Sequence, residues 1–254
     1  MKWTVASDVD GTLTGDRPAL DRLVGRLSER RAAGELFLIL STGRRLEQVL
    51  EGIVEEGLPE PDAVIGQVGT EIYLPPFDNE TRPMAMWRDR LLAGYSREEA
   101  VSFLPGIDGL VMQPEMYNTE LKTSCYLDRC PDPKSAATMI RHRVAPHANR
   151  YQVVWSSGRD LDILPAASGK GKAIRFLVEQ QRLDPIQVVV AGDTGNDASM
   201  FEEFDKGIVV ANAKPELITL AHTLADRQVY FAQKPHAAGV EEGLGHYGVL
   251  DGAT

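Results

Sequence analysis

The chain has 254 residues, of which 43% are hydrophobic and 25% are charged, and its formal net charge at pH 7 is −10. This length predicts one large domain, or one and a half, with enough apolar residues for a buried core. The acidic balance argues against nucleic acid and anionic membrane as partners, and no apolar stretch approaches the ~18 residues of a membrane-spanning helix. Without a signal-peptide pattern, and with only Cys125 and Cys130 as ordinary thiols, the sequence is typical of a cytoplasmic protein.

The first predicted strand, residues 3–6, is followed at once by two carboxylates, Asp8 and Asp10. Open α/β sheets bind ligands at the carboxyl ends of their strands. Because side chains alternate along a strand, we expect both carboxylates to reach one spot, where their mutual repulsion favours a bound cation. The pair fits a carboxylate nucleophile beside a carboxylate acid/base, with Mg²⁺ holding both, and the alternative is a turn with two solvated aspartates.

Helical and strand patterns then alternate along the chain. Apolar residues recur every three or four positions in the predicted helices and form short continuous runs in the predicted strands. This order at this spacing predicts a parallel sheet wound by helices on both faces. The elements predicted here are helix 18–33, strand 36–40, helix 45–57 and strand 63–65.

A second group of polar residues, Ser41-Thr42-Gly43-Arg44, follows the strand at 36–40. A hydroxyl and free backbone N–H groups at a strand end, just before a helix, can hold an anion. The same residues are equally common as turn and helix-cap chemistry, so both interpretations stay open on this segment alone.

The pattern changes near Pro75-Pro76, and residues 78–164 read as a separate unit. An alternating strand, a hairpin and two helices predict a small α+β cap inserted into the core. We therefore expect an α/β, doubly wound, Rossmann-like core at residues 1–77 and 166–254, with the cap at 78–165 and a hinged cleft between them. The elements predicted in the cap are helix 96–104, strand 121–127, helix 133–144 and hairpin strands 151–156 and 160–164.

Two further groups of functional residues follow the cap. Lys170 opens a predicted helix, where a cation can hold a phosphate or an aspartate, although a lysine there is more often a surface residue. The run 192–197, Gly-Asp-Thr-Gly-Asn-Asp, offers oxygen ligands for Mg²⁺ or is a plain acidic loop. The elements predicted in this part are helix 173–180, strand 188–191, helix 199–203, strand 207–210 and helix 215–221.

These four segments, in this order and spacing, resemble the haloacid dehalogenase superfamily of phosphatases. The further segments 67–73, 156–165 and 212–217 look like those of sucrose-phosphate phosphatases, so that the resemblance covers nearly the whole chain. Relatives acting on mannosylfructose, glucosylglycerol or mannosylglycerate phosphates are not separated from them by these residues.

The resemblance implies a Mg²⁺-dependent phosphatase for a sugar phosphate, most readily sucrose 6-phosphate. Asp8 would attack phosphorus, Asp10 would act as acid and then base, and Thr42 and Lys170 would hold the phosphoryl oxygens. The metal would be bound by Asp8, the backbone carbonyl of Asp10, and Asp193, with Asp197 and Asn196 at or just outside the coordination sphere.

Sugar hydroxyls need charged or amide partners that make several hydrogen bonds at once. Asp160 and Asp162, two apart on one predicted strand, should point to the same side. The predicted substrate contacts are Gly43, Arg44, Gln67, Glu71, Lys122, Arg159, Asp160, Asp162 and Asn196. For the cap residues the alternative is a solvated strand face.

Other functions stay open on the sequence. A phosphomutase shares the aspartate chemistry, and a non-catalytic partner of a sugar-phosphate synthase could keep the fold; a cognate synthase is also a possible partner of the enzyme itself. The five histidines show no metal-ligand spacing and are interpreted as ordinary surface or core residues: His142, His147, His222, His236 and His246.

Overall fold

The structure, a computed structural model, describes residues 2–78 and 80–251. In these residues the strands form two sheets, one of seven strands and one of four. No helix in the described ranges is long and apolar enough to cross a membrane.

The seven-stranded sheet has the order β11-β10-β9-β1-β2-β3-β4. All neighbours are parallel except β3 and β4, so a doubly wound α/β core is confirmed. β1 lies in the middle and pairs with both β2 and β9, which brings three polar strand ends side by side. The strands are β1 Trp3–Ser7, β2 Leu36–Ser41, β3 Ala63–Gly66, β4 Glu71–Tyr73, β9 Val188–Gly192, β10 Lys206–Val209 and β11 Gln228–Phe231.

Helices pack on this sheet through apolar stripes. In α1, for example, Leu20, Leu23 and Leu27 are buried at helical spacing, and Asp16 caps the first turn by accepting the backbone N–H of Ala19 at 3.1 Å. The helices of this layer are α1 Arg17–Ala32, α2 Leu46–Glu55, α6 Lys170–Gln180, α7 Ala198–Glu203, α8 Pro215–Thr223 and α9 His236–His246.

The four-stranded sheet is antiparallel, with the order β5-β6-β8-β7. The predicted hairpin is confirmed as β7 and β8, and it turns at Ser157 and Gly158, which both have positive φ. The elements of this part of the chain are α3 Ala85–Leu92, α4 Arg97–Ser102, β5 Val111–Met112, β6 Thr123–Tyr126, α5 Pro133–Val144, β7 Tyr151–Ser156 and β8 Asp160–Pro165.

Several elements differ from the sequence prediction. α6 begins at Lys170, three residues before the predicted start, because Gly169 at φ +112 turns the chain directly into the helix. The short strands β4 and β5, the edge strand β11, and helices α3 and α9 were not predicted. The helix predicted at 96–104 ends at Ser102, two residues earlier, since Pro105 follows.

Candidate active site

The three polar motifs meet at one edge of the seven-stranded sheet. Asp8 follows the end of β1, Thr42 follows β2, and Asp193 follows β9. Because β9, β1 and β2 are adjacent and parallel, their carboxyl ends lie together, as the sequence predicts.

Lys170 lies beneath this edge and is completely buried. Its Nζ donates to Asp8 Oδ1 and to Asp197 Oδ1, both at 2.6 Å, and to Asn196 Oδ1 at 3.3 Å. Burial alone would lower the pKa of Lys170, but Asp197 and Asp8 raise it above the ordinary lysine value, so the side chain stays an ammonium. The interpretation of Lys170 as a surface residue is therefore wrong.

Three carboxylates form a cluster around this ammonium. Asp8, Asp193 and Asp197 are all buried, and one oxygen from each lies within 4.8 Å of the others. Burial, followed by repulsion from Asp197, raises the pKa of Asp8 well above its ordinary value, although Lys170 acts in the opposite direction. The same two causes raise the pKa of Asp193 to about 6.

The cluster has the chemistry of a divalent-cation site. Its donors are carboxylate oxygens, the ligands that hard cations such as Mg²⁺ prefer, and burial followed by repulsion from Asp197 raises the pKa of Asp8 and Asp193, which a bound cation would oppose. Asp197 is already bonded at both oxygens, since Oδ2 accepts the backbone N–H groups of Asp193 and Thr194 at 2.9 and 3.0 Å. Asp8 and Asp193 are therefore the freer pair of ligands.

Asp10 lies outside the cluster. Its carboxylate pairs with Arg44, with Oδ1 2.7 Å from Nη2 and Oδ2 3.0 Å from Nε, and its side chain is 60% exposed. Strand alternation does not explain where the Asp8 and Asp10 side chains lie, because β1 ends at Ser7 and neither aspartate belongs to the strand. Both aspartates nevertheless line the same pocket.

The loop after β2 is the predicted anion cradle. Thr42 is buried, its backbone N–H donates to Ile65 O at 2.8 Å, and its Oγ1 accepts the N–H of Arg44 at 3.1 Å. Gly43 faces the pocket. Arg44 also pairs with Glu56 at 2.6 Å, so its guanidinium is shared between two carboxylates and its predicted contact with substrate stays a prediction.

A pocket of about 310 Å³ separates this edge from the four-stranded sheet. It takes residues from both sides: the side of the seven-stranded sheet contributes two carboxylates, an amide and a hydroxyl, and the other side contributes tyrosines, serines, an amide, two carboxylates and a lysine. Its lining is Asp8, Asp10, Gly43, Val68, Gln113, Tyr117, Lys122, Tyr126, Ser156, Ser157, Asp160, Asp162, Thr194 and Asn196.

The second sheet contributes three of the predicted sugar contacts. Lys122 and Asp162 are buried, with 3.8 Å between Nζ and Oδ1, and Ser124 Oγ donates to Asp162. Asp160 Oδ1 accepts Gln113 Nε2 at 3.0 Å, and burial raises the pKa of Asp160 above its ordinary value. Asp160 and Asp162 line one pocket, as their spacing on β8 predicts.

Besides Arg44, three predicted substrate contacts lie outside the pocket lining. Arg159 is half exposed, with Nε 3.3 Å from Asp128 Oδ2 and its guanidinium 4.3 Å from the centre of the Tyr126 ring. Gln67 is buried at φ +51, and Glu71 accepts the hydroxyl of Tyr73 at 2.7 Å. None of the three belongs to the pocket lining, so their roles stay predictions.

Sequence reasoning missed part of the lining. Gln113 and Tyr117 lie in a stretch without a helical or strand period, and only the fold brings them to the pocket. Ser156 and Ser157 were identified as hairpin residues, and Thr194 lies within the acidic run, but no pattern indicated that their hydroxyls face the site.

Known proteins share this arrangement over nearly the full chain. The sequence model of one family, Sucrose-6F-phosphate phosphohydrolase, matches residues 1–248. A mannosylfructose-phosphate phosphatase of Agrobacterium fabrum is 34% identical over 96% of each chain. A sucrose-phosphatase of Nicotiana tabacum is 29% identical over 96% of this chain, which spans only 58% of that longer relative.

A solved structure supports the same relationship. The sucrose-phosphatase of Synechocystis sp. PCC6803, in complex with sucrose and phosphate, superposes with a TM-score of 0.86 at 33% identity, covering 98% of this chain and 99% of that one. The fold matches that of a haloacid dehalogenase-like sugar phosphatase, with a TM-score of 0.68, and a protein of Nitrosococcus oceani named as a haloacid dehalogenase-like hydrolase is 30% identical over 97% of this chain and 72% of its own. The chain therefore belongs to the sucrose-6F-phosphate phosphohydrolase family, within the haloacid dehalogenase superfamily of phosphatases.

Proposed function

We propose that the chain is a Mg²⁺-dependent phosphatase that hydrolyses sucrose 6-phosphate to sucrose and phosphate. The observation that carries the proposal is the buried Lys170 ammonium, held 2.6 Å from both Asp8 and Asp197 beside a carboxylate cluster. This arrangement fits a carboxylate nucleophile that must stay ionised next to a dianionic substrate.

In the first half of the reaction, Asp8 attacks phosphorus. A bond forms between an Asp8 carboxylate oxygen and phosphorus, the bond from phosphorus to the sugar oxygen breaks, and Asp10 gives its proton to that oxygen. Lys170 offsets the charge at Asp8 and would reach the phosphoryl group in place of its longer bond to Asn196. The Thr42 hydroxyl and the backbone N–H of Gly43 would hold the phosphoryl oxygens.

In the second half, Asp10 takes a proton from water as the water oxygen bonds to phosphorus. The bond between phosphorus and Asp8 breaks, which restores the carboxylate and releases inorganic phosphate. The exposed position of Asp10 at the pocket suits this exchange of protons with a leaving group and then with water.

Mg²⁺ would be held by Asp8, Asp193 and the backbone carbonyl of Asp10, with Asp197 and Asn196 orienting the loop. Bound there, the ion supplies positive charge that draws off charge from the phosphoryl oxygens. The protein's own part is to offer two buried carboxylates whose pKa values are raised in the absence of a cation.

We also propose that residues 78–165 act as a cap that recognises the sugar. The support is that Lys122, Asp160 and Asp162 reach the same pocket as Asp8 from the second sheet. Their charges and the hydroxyls of Ser156 and Ser157 offer the several hydrogen bonds that a disaccharide needs.

A second candidate substrate is mannosylfructose phosphate. The observation that favours it is the 34% identity with the mannosylfructose-phosphate phosphatase over 96% of both chains. The pocket lining is mainly polar, and no residue in it selects a glucosyl over a mannosyl group.

We also propose that the protein is located in the cytoplasm and that it docks to the synthase that makes its substrate. The location is supported by two buried, unpaired cysteines, Cys125 and Cys130, which are typical of a reducing compartment. Docking is supported only by the chemistry, because a sugar phosphate must be made before it can be hydrolysed.

The test is phosphate release by purified protein from sucrose 6-phosphate and mannosylfructose phosphate, before and after EDTA dialysis and after Mg²⁺ is restored. We expect sucrose 6-phosphate to have the higher kcat/KM, EDTA to abolish release, and Mg²⁺ to restore it and to raise Tm. Release from neither substrate would contradict the proposal, and a higher kcat/KM for mannosylfructose phosphate would establish the second candidate. Full activity after EDTA dialysis would contradict the metal.

A further inference from the structure

The carbonyl oxygen of Gly11 is held from outside its own loop by two side chains. Asn212 Nδ2 donates to it at 2.8 Å, and His236 Nδ1 lies 3.0 Å away. A carbonyl oxygen only accepts, so Nδ1 carries a hydrogen in this contact, and the two donors use both lone pairs of the oxygen. The Gly11 carbonyl is thereby fixed in direction.

The two donors also support each other. The backbone N–H of His236 donates to Asn212 Oδ1 at 2.9 Å, which orients the amide so that its nitrogen faces Gly11. Asn212 follows β10 and His236 begins α9, so two separate elements of the core converge on one carbonyl. His236 has φ +52, an uncommon value for a residue with a side chain, and this conformation is kept where the ring meets the loop.

The loop itself is shaped around the imidazole. Gly15 has φ +119, and a Cβ at this position would lie 2.5 Å from His236 Cε1. No residue other than glycine fits there without moving the ring. The close approach shows that His236 is packed into the loop that carries Asp10, rather than lying on an unrelated surface.

Gly11 lies between the proposed acid/base, Asp10, and the proposed metal ligand Asp193, so a shift of its peptide would disturb both. It adopts φ +82, which only glycine reaches freely, and a Cβ on it would lie 2.4 Å from Asp193 Oδ2. Asp10 precedes it, with a side chain that is 60% exposed and, within residues 2–78 and 80–251, forms an ion pair with Arg44 alone. Arg44 holds the carboxylate end of Asp10, and the Gly11 peptide that follows holds its backbone end, so the place of Asp10 depends on both.

We propose that His236 and Asn212 are positioning residues that hold the Gly11 carbonyl and thereby place Asp10 for proton transfer. The inference rests on the proposed function. It concerns the proton that Asp10 gives to the leaving sugar oxygen as the phosphorus–oxygen bond breaks, and the proton that it takes from water in the second half. It revises the interpretation of His236 as an ordinary histidine.

Two substitutions at His236 separate the hydrogen bond from the backbone. His236→Gly removes the donor and accepts φ +52 without strain, whereas His236→Asn keeps a donor at a similar place and also tolerates positive φ. Asn212→Ala is the second route to the same loss, and it also removes the acceptor of the His236 backbone N–H. His222→Asn, at an exposed histidine that stacks on Phe231, is the matched control.

We expect His236→Gly and Asn212→Ala to lower kcat for sucrose 6-phosphate by roughly 10²-fold, with KM within about threefold of wild type, because a small displacement of a catalytic group is costly. His236→Asn should recover most of kcat, and His222→Asn should match wild type. Circular dichroism and Tm confirm that each protein is folded.

The signature of positioning is the leaving group. p-Nitrophenolate leaves without a proton, so the first half of the reaction should proceed in His236→Gly while the second half, which needs Asp10 as base, is slow. Stopped-flow measurements should therefore show a burst of about one p-nitrophenolate per protein before slow turnover. With sucrose 6-phosphate no burst should appear.

Several results would overturn the proposal. These are wild-type kcat in both His236→Gly and Asn212→Ala, equal losses with both substrates and no burst, or no recovery in His236→Asn. If wild type hydrolyses p-nitrophenyl phosphate but no sugar phosphate, the proposed substrate fails, and the burst still decides the role of His236.

Discussion

Among the residues that the structure describes, the Asp8 carboxylate is paired with one buried cation, Lys170. Lys170 Nζ lies 2.6 Å from it and also contacts Asp197 and Asn196, so loss of the Asp8 charge leaves the ammonium with two partners. Asp8→Asn should therefore fold normally and lose at least ~10⁴-fold in phosphate release, about 5 kcal/mol of transition-state stabilisation. Phosphate release at the wild-type rate from folded Asp8→Asn would show that another group attacks phosphorus.

Asp193 makes the stability of the metal-free protein depend on pH. Its pKa is raised to about 6 in the folded chain, mainly by burial and then by Asp197, from an ordinary value of 3.8. Between these two pH values Asp193 is deprotonated in the unfolded chain but still protonated in the folded chain. The free energy of unfolding therefore falls as pH rises through this window.

We expect Tm of EDTA-treated wild type to fall from pH 5 to pH 7 by more than Tm of Asp193→Asn. The difference between the two proteins reports the titration of Asp193 together with its effect on Asp8, whose pKa Asp193 also raises. Added Mg²⁺ should reduce the fall in wild type, since the ion replaces the proton in compensating charge. Parallel curves for the two metal-free proteins would contradict the raised pKa.

Helix α6 carries Lys170 into the site, and its position depends on close contact with α7. A Cβ on Gly171 would lie 2.0 Å from Ser199 O, a backbone atom that cannot rotate away. Gly25, in the middle of α1, has nothing within 4 Å of the same built atom and is exposed. The two glycines form a matched pair within helices.

Gly171→Ala should destabilise the protein by about 1–3 kcal/mol through overpacking, whereas Gly25→Ala should stabilise it by about 0.5–1 kcal/mol. Gly171→Ala should also lower kcat by roughly 10- to 100-fold, because displacement of α6 moves Lys170. Urea unfolding and phosphate release measure both effects. Equal stability of the two variants would show that the α6–α7 contact does not fix the helix.

Helices and strands could be predicted from the sequence where their apolar residues repeat with a clear period or form a continuous run. β1, β2 and β9 are continuous buried runs with turn residues after them, and α5 and the β7–β8 hairpin carry clear periodic or turn signals. β5 has two residues and β11 lies at the sheet edge, so neither buries a full face that leaves a pattern. α3 has no regular apolar stripe, and only Trp87 and Leu91 are buried in it.

The site was predictable where a motif carries its own chemistry. Asp8, Thr42, Lys170 and Asp193 come together because strand ends and a helix start place them, and the order of the motifs indicates this. The place of Asp10 was not, since it depends on how the chain turns after Ser7 and on Arg44 from another loop. Gln113, Tyr117 and His236 reach the site only through contacts distant in sequence.

The two sheets face each other across the pocket. We therefore expect the seven-stranded side to act on the phosphoryl group and the four-stranded side to bind the sugar. Asp160 lines the pocket from β8, whereas Asp128, in the loop after β6, pairs with Arg159 outside the lining. Asp160→Asn should lower kcat/KM for sucrose 6-phosphate by about 10- to 100-fold, the loss expected for one charged hydrogen bond to a hydroxyl, and should spare p-nitrophenyl phosphate.

Asp128→Asn is the control for loss of a surface carboxylate, and its kcat/KM for both substrates should match wild type. Kinetics of both substrates are measured on the same preparations, with circular dichroism to confirm folding. If Asp160→Asn harms both substrates equally, Asp160 acts on the fold or on the approach of the two sheets, and sugar recognition lies elsewhere in the pocket.

Covalent phosphorylation of Asp8 underlies the whole proposed reaction, and trapping the aspartyl phosphate tests it most directly. In Asp10→Asn the base for the second half is missing, so the aspartyl phosphate should accumulate when p-nitrophenyl phosphate is supplied. Acid quenching followed by peptide mass spectrometry should place one phosphoryl group on Asp8, and none should appear on the doubly substituted Asp8→Asn, Asp10→Asn protein. A burst of p-nitrophenolate from Asp10→Asn with no phosphoryl group on Asp8 would show that Asp8 is not the nucleophile.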